Sequence, residues 1–239
     1  LGQDPKFVYL LPTFQNPTGR SMSTERRAEV SAILGEFGAP VVEDDPYGAL
    51  YFDAPPGPSL RSLQPDLTLA LGTFSKTLAP GLRLGWVVGP PAVLARLTQL
   101  KQSADLHTST LSQKVALEVM RSGMLPDHLE RLRSVYAERR DAMLTAIDSY
   151  FPPSARITRP SGGMFVWVEL PEGVDAARLL PIAVEQEKVA FVPGEPFHPN
   201  GGGQNTLRLN FTHTPSDVIL DAVGRLGRVF ERALEALPA

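Results

Sequence analysis

Two apolar runs of strand length flank a single capped helix at the head of this chain, and that order restricts the fold more than any other feature. The run FVYLL at residues 7–11 is stopped by Pro12, as a short buried strand would be. Ser23 opens a helix whose apolar positions Val30, Ile33, Leu34 and Phe37 oppose a polar face beginning at Arg26 or Arg27, and Gly38 closes it. The run PVVE at residues 40–43 is the next strand. Strand, helix and strand in such short compass predict a βαβ unit, which requires a mainly parallel sheet with helices covering both faces.

Residues 54–65 are rich in proline and read as a surface loop. Residues 67–71 and 84–88 supply a third and a fourth strand, and residues 92–104 and 109–121 two helices. A long amphipathic helix is expected over 126–150, with Leu129, Leu132, Val135, Met143 and Ile147 near helical spacing. After Phe151 the pattern changes to strand (164–170), helix (176–188), two strands (189–192 and 206–211) and a closing helix (217–237). The fold class is therefore α/β, with a large domain over residues 1–125, a bridging helix over 126–150 and a small α+β domain over 151–239. The chain enters its first strand almost at once after Leu1, which suggests a piece of a longer protein.

The polar residues fall where such a sheet binds ligands, in the crevice beyond the carboxyl ends of its strands. Asp44 follows one strand directly; Ser75 and Lys76 follow the next. A carboxylate and an amine aimed into one cleft suit a pyridine cofactor that carries a carbonyl group. The amine condenses with the carbonyl, and the acid keeps the ring nitrogen protonated. Thr73, Ser75 and Arg83 surround the lysine and can bind a phosphate. Asn16 and Tyr47 are suitable donors to a phenolic ring oxygen.

Blander readings compete with these. A lone lysine is ordinarily a solvated charge. Asp45 reads as a turn residue with a solvated carboxylate. A metal site at Glu43, Asp44 and Asp45 lacks a histidine, and His107, His128, His198 and His213 are scattered. Arg208, in an alternating strand, could be exposed or salt-bridged. The glycines at 201–203 form a flexible turn, not a phosphate loop.

The segments LPTFQNPTG, VVEDDPYGALYF, GTFSKTLAPGLRLGW, GGMFVW and NTLRLNF resemble those of the fold-type I aminotransferases, nearest to the 2-aminoadipate and kynurenine aminotransferase subgroup. The resemblance implies a partial large domain of that fold, pyridoxal 5′-phosphate as cofactor and a homodimer. It implies Lys76 as the catalytic lysine that carries the cofactor, Asp44 at the pyridine nitrogen, and Asn16 and Tyr47 at the ring hydroxyl. Thr73, Ser75 and Arg83 would take the phosphate, and Arg208, with Asn16, the substrate α-carboxylate. Transamination between an amino acid of 2-aminoadipate, aromatic or branched-chain type and 2-oxoglutarate is expected. The family's first segment, with a phosphate-binding turn and a ring-stacking aromatic, is missing from this sequence, so these residues alone should bind cofactor weakly and turn over poorly. The effector-sensing domain of a winged-helix transcription regulator carries similar motifs and is the alternative.

A net charge of −3 and a pI near 5.9 give no attraction to nucleic acid or anionic membrane. No apolar run reaches the roughly 18 residues of a membrane span. With no cysteine the chain needs no oxidising compartment, and a cytoplasmic setting is the expectation.

Overall fold

The computed structural model describes residues 5–236; the chain start at Leu1 and the helix end expected at Leu237 lie outside them. The chain forms two compact units, one holding residues up to Thr13 together with Ser21–Leu132, the other Phe14–Arg20 together with residues from Arg133 on.

The first unit is built on a four-stranded sheet of β1 (Val8–Leu10), β2 (Val41–Asp44), β3 (Thr68–Thr73) and β4 (Gly85–Val88), in that order. The first three strands run parallel, as the βαβ pattern requires. β4 returns antiparallel, because the link from Thr73 to Gly85 is shorter than the dozen or more residues a parallel crossover needs. Val8, Val41 and Thr68 align across the strands, as do Leu10, Glu43 and Ala70. Val8, Leu10 and Val41 pack with Leu34 of α1 (Thr24–Glu36), Ala39 and Leu60 into the core. Each such aliphatic side chain contributes about 1.5–3 kcal/mol on full burial. Helices α3 (Pro91–Ala104) and α4 (Thr110–Arg121) follow, and their only buried residue is Ala116.

Ser23 caps α1 by accepting from Arg26 N at 3.2 Å, and Gly38 ends it at φ +62°, as expected. The buried stripe is different from the one the spacing suggested. Arg27, Ser31 and Leu34 face inward, whereas Ile33 and Phe37 are exposed. Arg27 can be buried because its guanidinium is satisfied there, donating to Met22 O (3.1 Å), Pro12 O (3.0 Å), Pro58 O (3.3 Å) and Thr13 Oγ1 (2.8 Å). The proline-rich stretch is also more ordered than a loop. Ser59 caps the short helix α2 (Leu60–Leu63), and buried Glu43 accepts from Leu60 N and Arg61 N, both at 2.9 Å. An anion at a helix N-terminus meets both unpaired amides and the helix dipole.

Helix α5 (Met124–Tyr150) runs from the first unit into the second. The second unit adds β5 (Arg156–Ile157), β6 (Phe165–Glu169), α6 (Ala176–Glu187), β7 (Val192–Pro193), β8 (Thr206–Asn210) and α7 (Ser216–Glu235). Its sheet is antiparallel throughout, in the order β5-β6-β8-β7. Val166 pairs with Leu209 and Val168 with Leu207, making one apolar face, and α7 buries Ile219, Val223, Leu226, Val229 and Phe230. The strand expected over 189–192 shrinks to Val192–Pro193.

Residues 14–20 belong with this second unit although the sequence order sets them among the first. Phe14 is 2% exposed and fills the space above Gly162 and Gly163, where any added Cβ would collide with its ring or Cβ. A Cβ on Gly19, at φ +67°, would meet Phe165 O at 2.4 Å.

Candidate active site

Asp44 is the last residue of β2, and Ser75 and Lys76 lie just beyond the end of its parallel neighbour β3. The two strands therefore deliver a carboxylate and an amine at the same end of one sheet. Lys76 is half-buried. Tyr9, in the middle of β1, donates its hydroxyl to Asp44 Oδ2. Partial burial of that hydroxyl, then the bond to Asp44 and its negative charge, push the phenol up to about 12.

The turn after β2 is fixed by Asp45, whose Oδ1 accepts from Gly48 N at 2.7 Å. This corrects the expectation of a solvated carboxylate: burial raises its pKa, opposed by the turn's amides and Arg27. The turn places Tyr47, 5% exposed, three residues beyond Asp44. Glu43 is occupied in holding α2. Among the described residues no group of three metal-binding side chains occurs.

The turn after β3 is closed by Thr73 Oγ1, which donates to Leu84 O (3.1 Å) and accepts from Ser75 N (3.0 Å). Thr73 thus spends its hydroxyl hydrogen inside the turn, leaving Ser75 as the side-chain hydroxyl beside Lys76. Arg83 sits at φ +53°, a left-handed conformation that costs a non-glycine residue about 1–2 kcal/mol, and its Nη1 donates to Pro80 O at 3.1 Å.

In the second unit, Arg208 on β8 donates from Nη1 to Asn16 Oδ1 at 2.6 Å. Its guanidinium stacks over Phe165 (4.2 Å) and Phe197 (5.4 Å). Trp167, opposite Arg208 in the β6–β8 register, meets Phe197 edge-on at 5.9 Å. A flat cation walled by aromatic rings is held in plane, the arrangement that bidentate carboxylate recognition needs. Asn16, by accepting through Oδ1, keeps its amide hydrogens as donors. Sequence reasoning found Asn16 and Arg208 separately, without their bond to each other. It missed Tyr9, Phe165 and Phe197, which only strand register and the fold of residues 14–20 bring to their partners.

These observations define an α/β unit with an acid and an amine at one end of its parallel strands, joined in sequence to an α+β unit bearing an arginine stacked between aromatic rings. The chain belongs to the aminotransferase class I and II family, whose model matches residues 2–226. The 2-aminoadipate transaminase of Thermus thermophilus is 47% identical over 96% of the chain and 58% of its own length. The crystal structure of LysN, α-aminoadipate aminotransferase from the same organism, complexed with N-(5′-phosphopyridoxyl)-L-leucine, matches with a TM-score of 0.93 at 46% identity, covering 98% of this chain and 60% of that one. The HTH-type transcriptional regulator YisV of Bacillus subtilis is 34% identical over 87% of the chain and 43% of its own length. The chain thus spans about three-fifths of the aminotransferases it matches.

Proposed function

We propose that the whole protein transfers an amino group between an amino acid and a 2-oxo acid, with pyridoxal 5′-phosphate as cofactor. The observation that carries this reading is the placement of Asp44 at the end of β2 and Lys76 just beyond the end of its parallel neighbour β3, with Tyr47 in the turn that follows Asp44. The donor set fits the cofactor: an amine for its aldehyde, an acid for its ring nitrogen, and Ser75 with Arg83 for its phosphate.

When bound, the cofactor supplies an aldehyde carbon and a protonated ring that draws electron density from the substrate Cα. Asp44 holds the proton at the ring nitrogen by charge pairing. Lys76 binds the cofactor through Nζ and, once released, moves a proton at the substrate Cα as general base and acid. Tyr47 and the amide of Asn16 donate to the ring oxygen. Arg208 orients the substrate through its α-carboxylate, and Thr73 shapes the phosphate turn.

The 2-aminoadipate name of the Thermus relative supports a donor of that type, and we propose 2-oxoglutarate as the acceptor. We further propose a homodimer working in the cytoplasm; among the described residues no helix is long and apolar enough to cross a membrane. The 239 residues by themselves hold cofactor weakly. The resemblance to YisV keeps effector sensing by a regulator domain as the second reading.

An amino-donor screen of the full-length protein with 2-oxoglutarate tests the proposal. Activity that disappears in Lys76→Ala is expected; activity that survives it refutes the assignment of Lys76. A tight, borohydride-reducible adduct at Lys76 in the 239-residue chain would refute weak retention.

A further inference from the structure

We infer that Tyr9 is the positioning residue of Asp44: its phenol anchors and aims one carboxylate oxygen, leaving the other for a ring nitrogen. This rests on the role of Asp44 proposed above. β1 and β2 pair in parallel with Tyr9 opposite Val42, so Tyr9 and Asp44 lie on one face of the sheet, diagonal neighbours within reach of a long side chain. The hydroxyl spans that diagonal and donates to Oδ2.

Packing does not explain the tyrosine. Val8 and Leu10 on either side of it face the core, while Tyr9 itself is 54% exposed. Its hydroxyl end is the part that is engaged. Tyr47 and Asp45, both in the turn after β2, are titratable groups coupled to the pair, and from the neighbouring strand Lys76 follows at the same end of the sheet; the β3 partner of Asp44 is the apolar Leu71.

A terminal carboxylate torsion is broad and two-fold, so an unanchored Asp44 would swing. One donated hydrogen bond fixes it. The anchored oxygen leaves its partner oxygen facing one direction, as pairing with a protonated ring requires. A phenol pushed up to about 12 keeps its proton, and so stays a donor, through the neutral range. A histidine in its place would change state in the physiological range.

The protein without cofactor, labelled with [13Cγ]aspartate and observed by NMR, gives the direct test, with Asp44→Asn assigning the resonance. Tyr9→Phe is expected to move the Asp44 carboxyl resonance and broaden it, as the anchored carboxylate begins to swing. In the reciprocal measurement, Asp44→Asn should bring the Tyr9 phenol, followed by ultraviolet titration, part of the way down from about 12, leaving the share due to burial. An unchanged Asp44 resonance in a folded Tyr9→Phe protein overturns the inference; if that variant does not fold, an unmoved Tyr9 phenol in Asp44→Asn overturns it instead. The role of Asp44 is judged separately, by cofactor retention in full-length Asp44→Asn. Wild-type retention there would sink the pairing with the ring nitrogen and leave the Tyr9–Asp44 coupling to its own two measurements.

Discussion

At the scale of single residues, Arg208 shows how neighbours fix the plane of a guanidinium. Asn16 takes one Nη, and Phe165 and Phe197 hold the guanidinium plane. A lysine has neither the fork nor the plane, so Arg208→Lys retains charge and loses geometry. In the full-length enzyme it should raise KM for the amino acid roughly 10- to 100-fold, the equivalent of the ~1.5–3 kcal/mol in hydrogen bonds to a charged group, with a smaller change in kcat. Steady-state kinetics with wild-type KM would remove Arg208 from the substrate site. Of the candidate residues, Asp44 and Lys76 were readable from the sequence because strand direction alone points them to one end of the sheet. Tyr9 was not, because its partnership depends on which residue of β2 lies opposite, and no local pattern encodes that register. Arg27 was misjudged because periodicity sorts residues by polarity. It does not register that a buried guanidinium can serve three loop carbonyls and a threonine.

Between elements, two contacts decide how helices and strands are held. Glu187, at the end of α6, accepts from Arg228 (2.8 Å) and Arg232 (3.0 Å) on α7. The bond from Arg228, ahead of that from Arg232, holds its carboxyl below the ordinary value of 4.5. A depressed folded pKa means the stabilisation is present above that ordinary value and is lost as pH falls through the lower, folded one. Glu187→Gln should therefore melt below wild type at neutral pH, with the gap closing in acid and shrinking in high salt; a gap independent of pH would contradict the ion-pair account. In the other unit, Gly72 lies under the Trp86 ring, and an added Cβ would come within 2.0 Å of it. Gly72→Ala should cost about 1–3 kcal/mol in overpacking, and Trp86→Val in the same chain should recover most of the loss. Chemical denaturation of both variants checks this. The antiparallel turn of β4 that makes the contact was hidden in the sequence, where an apolar run says strand and nothing about direction.

Across the whole molecule, the division into units cuts against chain order. Residues 14–20 leave the first unit to join the second, and α5 passes from one to the other. The composition of short elements was legible; this exchange was not, since it depends on Phe14 filling the space over Gly162 and Gly163, distant in sequence. The two units are also unequally built. The first rests on a modest core around Leu34, Val41 and Leu60, while the second buries Phe165, Val166, Val168, Leu207, Leu209, Phe211 and the apolar face of α7. The partition has a practical corollary in optical spectroscopy. The chain has two tryptophans, and each unit holds one, Trp86 in the first and Trp167 in the second. Trp86→Phe and Trp167→Phe therefore give emission from a single unit each. Trp86, 47% exposed, should emit further to the red and report the earlier denaturant midpoint; superimposed transitions would mean that the two bodies melt as one.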